Sequence, residues 1–130
     1  MHNKCCFKEK FFHFAHSILE NYEELGLTDE DAKKVRELKI GTKKSLIRNT
    51  AEAELLTVDI IAKLYENKPD LVEINKLLDK KFDVKKAGMK KLLAAFVGIK
   101  KLLSKEQMKQ MKAICKSEGH RQSKEEQCRR

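Results

Sequence analysis

One proline occurs in the whole chain. It lies in Asn67-Lys68-Pro69-Asp70, between two long stretches whose apolar residues recur every three or four positions. Pro69 cannot continue the helix before it, because it lacks an amide proton and its ring crowds the preceding turn. Asp70 and Glu73 supply a cap and its N3 partner for the helix that follows. Two long helices joined by a four-residue turn must run antiparallel as a helical hairpin. With only five Gly among 130 residues, there are too few turn signals for an all-β fold. Lys and Glu, both good helix formers, dominate the charged 38%. The chain is therefore expected to be all-α.

Four helices are expected, over about 6–25, 28–66, 70–103 and 104–117. Together they make a single helical domain over 1–118, with a polar flexible tail at 119–130. In the first helix, Phe7, Phe11, Phe14, Ile18, Tyr22 and Leu25 fall on one stripe, and Gly26 is a plausible C′ stop. The second opens on Thr28 as N-cap with Asp31 at N3, flanked by Leu27 and Ala32. It continues through Val35, Leu38, Ala53, Leu56, Ile60 and Leu64, with a bend or weak point expected at Gly41-Thr42. The third carries Leu71, Ile74, Leu78, Phe82, Met89, Leu92, Phe96, Ile99 and Leu103. Asp83-Val84 and Gly88 are the places where it would split or bend. The fourth opens on a capping box, Ser104 with Gln107, stapled by Leu103 and Met108.

These starts share a pattern: Leu27-Thr28-Asp29-Glu30-Asp31 and Leu103-Ser104-Lys105-Glu106-Gln107, one at each end of a long hairpin turned at a proline. Over roughly residues 11–115 the chain resembles the LTxxQ-motif family of small periplasmic proteins. That family takes in the Spy, CpxP and ZraP stress proteins and the CnrX-type heavy-metal resistance sensors. The second motif differs by Ser for Thr, and the first has Asp in place of Gln. The resemblance implies a four-helix hooked hairpin that dimerises antiparallel into a curved cradle outside the cytoplasm. The function expected on this resemblance is the binding of divalent metal ions for sensing or buffering, in some members beside a membrane sensor partner, with ATP-independent holding of unfolded clients in a basic helical cradle as the alternative. Residues 1–14 hold no apolar leader. The chain is read as a mature form after a cleaved leader or, if the resemblance misleads, as a cytoplasmic basic helical module that binds nucleic acid or a partner helix.

Cys5, Cys6, His13, His16, Cys115 and His120 are candidate metal ligands. On a helical wheel Cys6, Glu9, His13, His16 and Glu20 share the face opposite the Phe stripe. Imidazole, thiolate and carboxylate groups one or two turns apart suit Zn²⁺, Ni²⁺, Co²⁺ or Cu²⁺, with Cys5 as a further donor. Cys115 and His120 would join them if the first and last helices lie side by side. The other reading is a solvated polar face with incidental thiols. In the family's metal binders a His pair also precedes the first motif. Their further ligands, a Glu and a His, have no counterpart, since Ile40 and Phe96 stand near the matching places.

The net charge of +9 rests largely on lysine pairs such as Lys80-Lys81, Lys85-Lys86, Lys90-Lys91 and Lys100-Lys101. These spread around the helix axis, as on a solvated surface or on a basic cradle that attracts clients. A nucleic-acid reader would gather them on one face with interleaved aromatics, so nucleic acid is not the expected partner. Met89, Met108 and Met111 are expected as core fillers that would also suit an adaptable client surface. No phosphate loop, nucleophile elbow or metalloprotease motif is present, so no enzyme and no organic cofactor is expected. No apolar run is long enough to span a bilayer.

Overall fold

A computed structural model describes residues 7–114. Cys5, Cys6, Cys115, His120, the helical end expected at 115–117 and the 119–130 tail all lie outside the described residues. Within 7–114 the chain is all-α. The helices are α1 (Phe7–Asn21), α2 (Asp29–Leu64), α3 (Leu71–Lys100) and α4, over residues 105–114. None is long and apolar enough to cross a membrane.

The helix ends follow their expected chemistry. After α1, the Leu27 amide donates to the Tyr22 carbonyl at 2.9 Å and the Gly26 amide to the Glu23 carbonyl at 3.1 Å. That is a Schellman pair, and it needs a left-handed residue at C′; Gly26 takes φ 79°. The α1 stripe thus extends past Asn21 through a closing turn to Leu25. At α2 the Asp31 amide donates to Thr28 Oγ1 at 3.1 Å, and the Thr28 amide to Asp31 Oδ2 at 3.4 Å. At α3 the Val72 amide donates to Asp70 Oδ1 at 3.0 Å. Gly41-Thr42, Asp83-Val84 and Gly88 all lie inside unbroken helix. Good helix formers on both sides outweigh the cost of a single Gly, about 1 kcal/mol.

The chain forms two compact units, one from the N- and C-terminal portions (up to Lys39 and from Ala95) and one from Ile40–Ala94. The first contains parts of all four helices and encloses large side chains. Phe11, Ile18, Val35, Ile99 and Met111 are completely buried in it. The Phe96 ring lies 5.4 Å from Phe7 and 5.3 Å from Phe14, within the range where aromatic pairs add to simple burial.

The Ile40–Ala94 unit is a two-helix hairpin. A Cβ built on Gly88 would lie 3.0 Å from Asn49 Nδ2 and 3.5 Å from a Leu46 methyl. Near the turn, Lys63 Nζ lies 3.3 Å from Glu73, whose hydrogen bond holds the Lys63 ammonium above its usual range. The pairings 49–88 and 63–73 descend on one helix as they rise on the other, so the helices are antiparallel. Its core is thin: Thr42, Ala53, Leu56, Ile74 and Leu92 are its buried side chains.

The apolar stripe expected on α3 is buried only in part. Ile74 and Leu92 are buried, whereas Leu71, Leu78, Phe82 and Met89 are exposed, by 40–66%. Likewise Leu64 on α2 is exposed, and Met89 is no core filler, although Met111 is. The physical reason is geometric. A lone partner helix covers one side of its neighbour, so a stripe as broad as the one on α3 is covered along one edge only.

Candidate functional site

Of the candidate ligands, the structure describes His13 and His16. His16 is exposed, and its Nε2 lies 2.9 Å from Glu20 Oε1, one turn along. His13 is half-buried, with its Nε2 shielded from solvent. The two imidazoles, three residues apart, therefore sit in different surroundings. Among the described residues, no group of three or more His, Cys, Asp or Glu side chains comes together to hold a metal. A site on this face would need a donor from outside them.

The two motifs differ in what their side chains reach. At the second, the Ser104 amide donates to Gln107 Oε1 at 2.7 Å and the Gln107 amide to Ser104 Oγ at 3.1 Å. The opposite end of the Gln107 amide group, Nε2, donates to the Leu25 carbonyl at 2.7 Å. One side chain thus caps α4 and ties it to the turn closing α1, eighty-two residues away. At the first motif Asp31 closes its own box, but a carboxylate has no donor with which to make a second tie. Leu27 is buried and Leu103 half-buried, consistent with the staple. These residues build structure.

The more distinctive feature is apolar surface. Large apolar side chains exposed in the Ile40–Ala94 unit include Ile47 at 59%, Val58 at 61% and Tyr65 at 85%. On α2 and its closing turn they follow a rule. Thr42, Leu46, Asn49, Ala53, Leu56 and Ile60, at alternating spacings of four and three, are buried or half-buried against α3. Two residues out of phase, Ile40, Lys44, Ile47, Ala51, Glu54, Val58, Ile61 and Tyr65 repeat the same four-three spacing, and every one is exposed. A two-residue offset is about 200° on a helix, so the second stripe faces away from the first. Helix α2 thus carries two opposed seams, one of them without a partner within its unit.

The stripe expected from the sequence, Val35, Leu38, Ala53, Leu56, Ile60 and Leu64, does not include this second seam. The signal was present in the four-three recurrence from Ile40 to Tyr65, interrupted by Lys44 and Glu54. No family model, curated protein or solved structure matches the chain.

Proposed function

We propose that this is a non-enzymatic, extracytoplasmic stress protein of the LTxxQ type that holds apolar segments of unfolded proteins without ATP, acting as a homodimer. The observation that carries the reading is the outward seam of α2. Its aliphatic side chains Ile40, Ile47, Val58 and Ile61 are 48–61% exposed. Large apolar side chains left in water along one helix face, here interrupted only by Lys44 and Glu54, cost free energy and mark a docking surface. An extended or helical client segment with apolar residues at matching spacing would remove it from water. The net charge of +9 would speed encounter with acidic clients.

The test is light scattering of reduced, aggregating α-lactalbumin with and without the protein. Suppression is expected near equimolar ratio. The triple variant Ile47→Gln, Val58→Gln, Ile61→Gln should lose on the order of a hundredfold in potency, because each side chain would contribute roughly 1 kcal/mol of apolar burial, about 3 kcal/mol together. Gln keeps helix propensity, so far-UV circular dichroism should not change. Full suppression by the triple variant would refute the seam as the client surface.

Metal buffering or sensing is the second reading, favoured by the His16–Glu20 pair at 2.9 Å. In native mass spectrometry, integral uptake of Zn²⁺, Ni²⁺, Co²⁺ or Cu²⁺ should disappear on replacing His13 and His16 by Ala. Uptake that survives the replacement removes these histidines from any metal site.

A further inference from the structure

Charge within the Ile40–Ala94 hairpin is strongly polarised. Residues 40–51 contain Lys43, Lys44 and Arg48, and residues 84–94 contain Lys85, Lys86, Lys90 and Lys91, with no Asp or Glu in either run. The packing of Gly88 on Asn49 and Leu46 brings both runs to one end of the hairpin. The rest of the unit, 52–83, is acidic, with eight carboxylates against five lysines.

Apolar groups are exposed at and beside the same end. Phe82 is 55% exposed, and Met89 and Leu93 are each 48% exposed. Phe82, Lys85, Met89 and Leu93 follow one another at spacings of three and four, so they share a stripe of α3. Lys85 Nζ lies 5.7 Å and Lys81 Nζ 5.9 Å from the Phe82 ring centroid. Both ammonium groups thus sit over the ring, within the range of a cation–π contact.

We propose that this basic end of the hairpin docks on an anionic lipid bilayer. Phe82, Met89 and Leu93 face the acyl boundary, and the surrounding lysines reach the headgroup phosphates. A bilayer surface offers diffuse negative charge and apolar depth together, and dense lysine clusters beside exposed apolar side chains match both. Six of the seven cations are Lys. Lysine is a flexible point charge suited to a fluid array of phosphates, whereas forked recognition at a protein partner favours Arg and depletes Lys. Nucleic acid would leave Met89 and Leu93 against sugar and phosphate, and Phe82 alone beside the two basic runs to stack a base, where a nucleic-acid platform stacks successive bases on several aromatics. The proposal is independent of the client-binding reading, which rests on the outward seam of α2.

Flotation with phosphatidylcholine vesicles, and with the same vesicles enriched in phosphatidylglycerol, tests it on the full chain. Binding is expected only to the anionic vesicles, weakening as salt rises. Lys85→Gln with Lys86→Gln should weaken it roughly 25-fold, at about fivefold per lysine. The chain has no Trp, so Met89→Trp provides a single fluorescence reporter, and its emission should shift to the blue on anionic vesicles. Three outcomes would overturn the proposal. These are equal binding to both vesicle types, Trp emission that stays unshifted on anionic vesicles, and release of bound protein by a nucleic-acid duplex or an acidic polypeptide at matched charge. Loss of vesicle binding in the Lys variant with aggregation suppression intact would separate this surface from the client seam.

Discussion

Truncation of Phe11 to Ala is expected to destabilise the protein by about 3–5 kcal/mol, the range for a large aromatic removed from a packed core. Phe11 is fully buried, with the Phe12 ring edge-on at 5.0 Å. It belongs to the unit that holds the completely buried Ile18, Val35, Ile99 and Met111, so the cavity would open where most of the large apolar side chains are gathered. A small domain has only about 5–15 kcal/mol of stability in total, so the variant should unfold at far lower urea than the parent. Phe82→Ala is the matched control. Its ring is 55% exposed, and its removal should cost no more than about 0.5 kcal/mol. Urea titrations followed by far-UV circular dichroism compare the two. A loss below about 1 kcal/mol for Phe11→Ala would place its ring outside the core.

Gln107 should give the next largest loss. Its carboxamide accepts from the Ser104 amide and donates to the Leu25 carbonyl, both at 2.7 Å. Gln107→Ala removes an N-terminal cap interaction and a tertiary hydrogen bond, each about 1 kcal/mol, so roughly 2 kcal/mol should be lost. Gln107→Glu separates the two. Its carboxylate still accepts from Ser104, at a helix N-terminus where negative charge is favourable. It can no longer donate, and it sets an oxygen against the Leu25 carbonyl. About 1 kcal/mol should be lost in that variant, read from the same urea titrations. If Glu costs as much as Ala, the cap contributes nothing measurable. If Glu costs nothing, the tie between α4 and the α1 turn does not form in solution.

What local chemistry controls was legible in the residues. α2 closed at Leu64, shortly before Pro69, and Asp70 capped the next helix. Gly26 took the left-handed position at the end of α1, and the Thr28–Asp31 and Ser104–Gln107 boxes closed as their spacing required. Each of these rests on atoms within a few residues of one another, so the sequence contains the whole cause. The capping role of Gln107 was readable on the same grounds. Its second bond was not, because Leu25 lies eighty-two residues away.

Apolar periodicity was legible as helix, but it did not say which edge of a stripe would find a neighbour. Phe82 and Ile74 stand on the same expected stripe of α3; Ile74 is buried and Phe82 is open to water. On α2, the Ala53–Leu56 seam is covered while the Ile47–Val58 seam, on the opposite side, is not. Both seams have the same spacing, and only the position of the partner helix distinguishes them. The metal candidates show the same division. Their types and spacing are written in the chain, but the differing environments of His13 and His16 depend on packing. By itself the sequence determined the helices, their ends and the antiparallel hairpin, because those follow from short-range sterics and hydrogen bonds. The tertiary structure alone decided which apolar and charged faces remain open for partners, because burial depends on what other segments come to rest against a face.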